Sequence, residues 1–246
     1  MSWLRCPDPR PWATTRLVCL PHAGGSAVAY RAWGKAASPA LEVHAVQYPG
    51  RADRMREPMM GDARQAARLI AAALAPLTDR PLALFGHSMG TILAYETALL
   101  LQARGAAPVH LFMSAAPPVH LRGDGRDPVA EKDDDGVIAE LVSLGGTDAE
   151  ALADPELREL VLPYIRADYR LVHGYEHRPG DRLTSPVTAL VGEADSHAPV
   201  EKAARWNEVT DGECELRVFP GGHFYLNDQL PEVLAEVHKA LGIPAA

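Results

Sequence analysis

Short apolar runs of strand length recur along this chain, separated by longer stretches in which apolar residues return every three or four positions. The runs are "RLVCL" (16 to 20), "LEVHAVQY" (41 to 48), "PLALF" (81 to 85), "VHLFMSA" (109 to 115), "PVTALVG" (186 to 192) and "CELRVF" (214 to 219). Helical patterns occupy residues 62 to 77, 89 to 104, 200 to 206 and 231 to 241; Gly105 closes the second, and Pro231 and Gly242 bracket the last. Strands and helices in alternation predict an α/β fold, a mostly parallel open sheet with helices on both faces. The 246 residues suffice to bury such a core in one unit, so a single domain over residues 1 to 246 is expected.

One segment breaks the alternation. From residue 117 to about 180 no strand is evident; a Pro-, Gly- and Asp-rich loop is followed by "DDDGVIAELVSLGG", "DAEALA" and "DPELRELVLPYIRADYRLVHGYEH". Each piece opens on acidic residues suited to a helix N-terminus, which predicts a helical insertion. In the last piece Leu157, Leu160, Val161, Tyr164, Ile165, Tyr169 and Val172 recur at helical spacing, an apolar stripe that should mostly pack, with part of it lining a pocket beneath a lid.

The stretch "LALFGHSMGTILAYE" (82 to 96) places a serine between a strand pattern and a helix pattern, with a glycine two residues away on each side. Glycines at 86 and 90 remove the Cβ atoms that would collide where strand and helix approach closely, and the tight turn lifts the Ser88 hydroxyl out. The helix N-terminus beside it offers unpaired N–H groups to a developing oxyanion. A serine nucleophile needs a base and a group to orient that base. Enzymes built on such a turn carry them in the chain order Ser, acid, His, on loops after later strands. Asp195 follows "PVTALVG" and His223 follows "CELRVF", both at the carboxyl ends of parallel strands, where open α/β sheets hold their sites. Glu193 and Asp228 are the alternatives for the acid. His22, His87 and His197 are the histidines that compete with His223 for the base.

The second oxyanion donor should come from the Gly-rich turn in "LVCLPHAGGSA", with the N–H of Ala23 acting beside that of Met89. Neither GxGxxG nor GxxxxGK[ST] fits that turn, so no nucleotide loop is read there. His173 and His177 stand four apart, but no Glu follows His173, and they are read as packing or surface residues rather than metal ligands. The net charge of −8 and the lack of a basic stripe argue against nucleic acid. Three cysteines without a CxxC pair suggest neither a disulfide framework nor a thiolate zinc site, and fit a reducing cytoplasm. No apolar run approaches the roughly eighteen residues of a membrane span, and prolines fill the N-terminal stretch where a signal peptide would be apolar, so neither export nor a membrane location is expected.

Taken together, "LPHAGGSA", "QYPGRADRMREP", "FGHSMGTILAYE", "LPYIRADYRLVHGYEHRP", "LVGEADSHAP" and "FPGGHFYL" resemble the type II thioesterases of modular polyketide and nonribosomal peptide synthesis, members of the α/β-hydrolase superfamily, over nearly all of residues 16 to 241. The resemblance implies an α/β-hydrolase fold with a helical lid at about 117 to 180 and a catalytic triad of Ser88, Asp195 and His223. It also implies a substrate acyl group in thioester linkage to the phosphopantetheine arm of an acyl or peptidyl carrier protein. The role implied is editing, the clearing of stalled or misprimed units. Thr91 stands where relatives often have alanine and Ala52 where a polar residue is frequent; both bear on selectivity and remove no catalytic group.

The expected chemistry needs no metal and no bound cofactor, and the chain is expected to act as a monomer. The alternative within hydrolases is a carboxylesterase or lipase-like enzyme acting on small oxygen esters; outside them it is a catalytically inactive scaffold. Because carrier proteins tend to be acidic, Arg51, Arg54, Arg56, Arg122 and Arg126 are candidates for a locally positive docking face, against the reading of arginines scattered in solvated loops.

Overall fold

The computed structural model describes residues 3–122, 129–145, 152 and 154–244. Seven strands form one sheet: β1 Leu4–Arg5, β2 Thr15–Leu20, β3 Leu41–Val46, β4 Leu82–His87, β5 His110–Ser114, β6 Val187–Gly192 and β7 Cys214–Phe219. Their order is β1-β3-β2-β4-β5-β6-β7, parallel except for the short β1, which pairs antiparallel with β3. All six strands read from the sequence are present. Strand β1 was not anticipated, because a two-residue edge strand carries no periodicity.

Strands β2 to β6 are buried along their whole length, which explains their nearly unbroken apolar sequences. Successive residues still divide between the two faces. Val18 and Leu20 pack with Ile70, Ile92 and Trp206, whereas Leu17 and Cys19 pack with Trp33, Phe85 and Val233. Helices α1 Arg31–Ala36 and α8 Leu230–Ala240 therefore cover one face, and α2 Ala63–Leu74 and α3 Met89–Gln102 the other. Helix α1 escaped the sequence reading; it is six residues long and buries only Trp33 and Gly34, too little for a pattern. Helix α2 buries Ala63, Ala66, Ala67, Ile70, Ala71 and Leu74 on one side, capped by Asp62, whose Oδ1 accepts from Gln65 N at 2.7 Å. Helix α3 is buried on nearly every side from Met89 to Ala98, so it reads as apolar throughout.

The insertion contains helices α4 Asp134–Ser143 and α5 Pro155–His173. The acidic residues expected at their starts are their caps: Asp133 accepts from Gly136 N and Asp154 from Glu156 N. The "DAEALA" segment lies largely outside the described residues. Val129, Val137, Leu141, Leu152, Leu162 and Ile165 form a small core of the insertion's own. The apolar stripe needs correction. The fully buried row of α5 is Leu162, Ile165, Asp168 and Leu171, while Leu160 is 48% exposed. Val161, Tyr164 and Tyr169 flank that row half-buried. A charged residue occupies the row, so counting apolar side chains rotated the inferred face.

The remaining helices, α6 Val200–Ala203 and α7 Tyr225–Asp228, are single turns after β6 and β7. Among the described residues no helix is long and apolar enough to cross a membrane.

Candidate active site

The loops after β2, β4, β6 and β7 leave the same carboxyl edge of the sheet, where neighbouring strands are in register: Leu20 of β2 lies opposite Gly86, His87 opposite Ser114, and Gly192 opposite Phe219. Ser88 sits between β4 and α3 with φ 54° and ψ −114°, a left-handed backbone that a non-glycine residue seldom adopts. The surroundings fix that conformation. Ser88 N donates to Ser114 O at 2.9 Å, and Ser88 O accepts from Thr91 N, from the Thr91 hydroxyl at 2.7 Å and from Arg122 Nη2 at 2.9 Å. A Cβ at Gly90 would stand 2.0 Å from Leu20 O, and one at Gly86 2.5 Å from Gly90 O, so neither position accepts a side chain without displacing backbone. The steric reading of both glycines holds.

Asp195 and His223 are 28 residues apart in sequence and meet as buried partners, Oδ2 to Nδ1, at 2.8 Å. The other carboxylate oxygen, Oδ1, accepts from His197 N at 2.9 Å and Ala198 N at 3.2 Å, so the carboxylate is fully engaged and its direction is set. Glu193 and Asp228, the alternative acids, are both exposed. Among the described residues the Ser88 hydroxyl makes no hydrogen bond to His223. The ring of His87, next in sequence to Ser88, lies 5.3 Å from that of His223. In ligand-free sites such a bond is often long and tightens when substrate binds.

The competing histidines are occupied otherwise. His87 is buried with Nδ1 on Ser114 Oγ at 2.9 Å, and that hydroxyl continues to Tyr225 OH at 2.7 Å. Burial holds His87 well below its ordinary pKa, keeping it neutral. His22 packs edge-on against Phe224 at 4.7 Å, and desolvation, reinforced by His223 and Arg51, lowers its pKa to about 4. His197 faces Glu140 at 3.7 Å. His177 meets the Tyr95 hydroxyl at 3.3 Å and His173 stacks on Tyr169, as expected of packing residues. Among the described residues Cys6, Glu42 and His44 bring three metal-ligand atoms within 4.8 Å of one another. The Glu42 carboxylate is already taken by Arg16 Nε, His44 Nε2 and Arg10 N, which makes this an ion-pair knot rather than an open coordination site.

The backbone N–H groups of Ala23 and Met89 have no hydrogen-bond partner among the described residues, as donors reserved for an incoming oxygen would. The loop carrying Ala23 is held in an unanticipated way. Arg51 and Asp168, 2% and 0% exposed at their side chains, form a two-pronged ion pair at 2.5 and 2.7 Å. Asp168 also accepts from Gly24 N at 2.8 Å, and Arg51 donates to Gly25 O at 3.1 Å. The available signal was the lone acid at three-residue spacing within Leu162, Ile165, Asp168 and Leu171.

These contacts overturn the expectation of an arginine-rich docking face. Arg51 is buried against Asp168, and Arg54 is buried with its guanidinium on Glu57 and Gln47 O. Arg122 is turned inward onto Ser88 O and Thr91 Oγ1, where desolvation lowers its pKa to about 10. Arg56 alone of the described four is exposed, and Arg126 lies outside the described residues. Sequence places arginines near the site; only packing reveals that backbone carbonyls and carboxylates claim three of them.

A thioesterase-domain family model matches residues 15–241, almost the whole chain and every element of this site. The chain belongs to the thioesterase family. This thioesterase is 44% identical to a probable cadicidin biosynthesis thioesterase of Streptomyces griseus over 97% of its own length, and spans 66% of that relative. It is 43% identical to thioesterase PikA5 of Streptomyces venezuelae, covering 97% of this chain and 85% of the relative. Among solved structures it superposes on the type II thioesterase BorB of the borrelidin biosynthetic cluster with a TM-score of 0.90 at 40% identity, over 97% of each chain. The thioesterase thus has the α/β-hydrolase fold expected from its sequence.

Proposed function

We propose that this thioesterase hydrolyses acyl thioesters carried on the phosphopantetheine arm of acyl or peptidyl carrier proteins, clearing stalled or misprimed units from polyketide or nonribosomal peptide assembly lines. The observation that carries the reading is the buried Asp195–His223 hydrogen bond, together with the strained backbone at Ser88 and the amides of Ala23 and Met89, which have no partner among the described residues. Similarity to type II thioesterases of biosynthetic clusters supports the substrate class. In the proposed mechanism His223, oriented by Asp195, takes the Ser88 proton as Oγ bonds to the thioester carbonyl carbon. The carbonyl oxygen becomes an anion held by Ala23 N–H and Met89 N–H. Collapse breaks the carbon–sulfur bond, and the proton on His223 passes to the departing thiolate. Water, deprotonated by His223, then attacks the acyl-enzyme, and the free acid leaves as the proton returns to Ser88 Oγ.

In this reading the chain is one domain whose helical insertion at about 117 to 180 serves as a lid over the acyl group, and it acts as a monomer in the cytoplasm. The free state of Cys6, Cys19 and Cys214 suits a reducing compartment. A fluorophosphonate probe should label the wild type and leave Ser88→Ala unlabelled. Acyl-pantetheine thioesters should exceed matched oxygen esters in kcat/KM; oxygen esters ahead by a wide margin would replace this reading with that of a carboxylesterase.

A further inference from the structure

The loop from Pro21 to Ser26 is anchored at its two ends by the end of β3. Tyr48 OH donates to Pro21 O at 3.0 Å, and the Gln47 side chain accepts from Ala27 N at 3.2 Å. Its middle has one internal turn bond, Gly25 N to His22 O at 2.9 Å. Among the described residues the other hydrogen bonds to the middle come from Arg51 and Asp168: Gly24 N–H donates to Asp168 Oδ2, and Gly25 O accepts from Arg51 Nη1. Gly24 adopts φ 80°, and Ile165, one turn before Asp168 on α5, lies 3.1 Å from where a Cβ would stand, so the helix presses on the loop as well. The rings of Tyr48 and Tyr164 cover the guanidinium at 5.4 and 4.7 Å. The pair is thus a plug with the insertion on one side and the amide-bearing loop on the other.

We infer that Arg51 and Asp168 are positioning residues for the oxyanion site: they fix the plane of the peptide units around Ala23, and through them α5 of the insertion sets the geometry of the transition state. The inference rests on the proposed function. Replacing a buried ion pair by apolar residues of similar volume is often neutral or stabilising, whereas removing one partner strands a charge. The pair can therefore be deleted with the fold retained. In a folded Arg51→Met/Asp168→Leu variant, Gly24 N and Gly25 O lose their partners and the loop is free to shift. A displacement of an ångström at such a donor costs about 10- to 100-fold in rate.

The test compares wild type, the double variant and Arg51→Lys on three readouts: kcat and KM for an acyl-pantetheine thioester, affinity for an acyl trifluoromethyl ketone that forms an anionic adduct on the serine, and affinity for the matching thioether, which lacks the carbonyl. The double variant should lose about 10- to 100-fold in kcat and a similar factor in trifluoromethyl ketone affinity, with KM and thioether affinity within about twofold. Arg51→Lys keeps the charge opposite Asp168 and the Asp168 bond to Gly24 N–H but not the two-pronged fork or its reach to Gly25 O, and should show a smaller loss of the same kind; it carries the comparison if the double variant does not fold. A folded double variant with wild-type kcat overturns the inference, as does a loss shared equally by thioether and trifluoromethyl ketone. A wild type without Ser88-dependent thioester hydrolysis overturns the functional reading itself, a distinct result.

Discussion

The strand-edge loops and the helical insertion solve the same problem, placing polar groups beside Ser88, by different means. At the strand edge each group is held by neighbours close in sequence or in the next strand: Asp195 by the amides of His197 and Ala198, Ser88 by Ser114 O across the β4–β5 register. The insertion instead reaches Ser88 O through Arg122, and the loop at Ala23 through a buried pair 117 residues apart in sequence, backed by a small core of its own. The sheet sets most of its part of the site through contacts within and between adjacent strands. The hold of α5 on the loop at Ala23 rests on one long-range ion pair, which either forms whole or leaves a buried charge stranded.

The largest expected effect tests the strand-edge side. Ser88→Ala or His223→Ala should lower kcat by roughly 10⁴- to 10⁶-fold, Ser88→Ala with little change in Tm and His223→Ala with a drop in Tm, since it leaves the buried Asp195 carboxylate without its partner. Activity within tenfold of wild type in Ser88→Ala would remove the serine from the chemistry and break the comparison at its root. Next in size, Gly90→Ala drives a methyl group into Leu20 O and must displace β2, α3 or the turn itself. Overpacking of this kind costs about 1–3 kcal/mol or more, and a loss of about 100-fold in kcat/KM should accompany the drop in Tm. Normal activity and Tm would mean that the turn is looser than its contacts indicate.

The smallest effect concerns pH. Burial lowers the pKa of His22 and of His110 to about 4 and that of His87 well below the ordinary 6.5. Between pH 6.5 and about 4 the unfolded chain binds more protons at these rings than the folded chain does. Their contribution to stability is therefore complete above pH 6.5 and lost as the pH falls toward 4. Urea midpoints measured from pH 7 down to 4.5 should decline steadily, and His110→Gln should lessen the slope. An unchanged midpoint across that range would place these rings in water.

Much of the strand-edge site was legible in the sequence because its determinants are local. A short unbroken apolar strand, a tight turn flanked by two glycines and a helix start follow one another within residues 82 to 96, and the later loops follow recognisable strands. The face of α5 was misread because a buried Asp168 looks, in sequence, like a solvated one. The same holds for the arginines assigned to a docking surface: a guanidinium caged by Ser88 O or Asp168 is indistinguishable in sequence from one in water.

By itself, the sequence determined the six parallel strands, their succession along the chain and the residues that their ends present, because backbone sterics and hydrophobic patterning act over a few residues at a time. The tertiary structure alone decided the strand order in the sheet, which charges are paired and buried, which amides among the described residues are left without partners, and how the insertion is tied to the loop at Ala23. Those outcomes depend on desolvation and on distances between segments as far as 144 residues apart, quantities that no local pattern encodes.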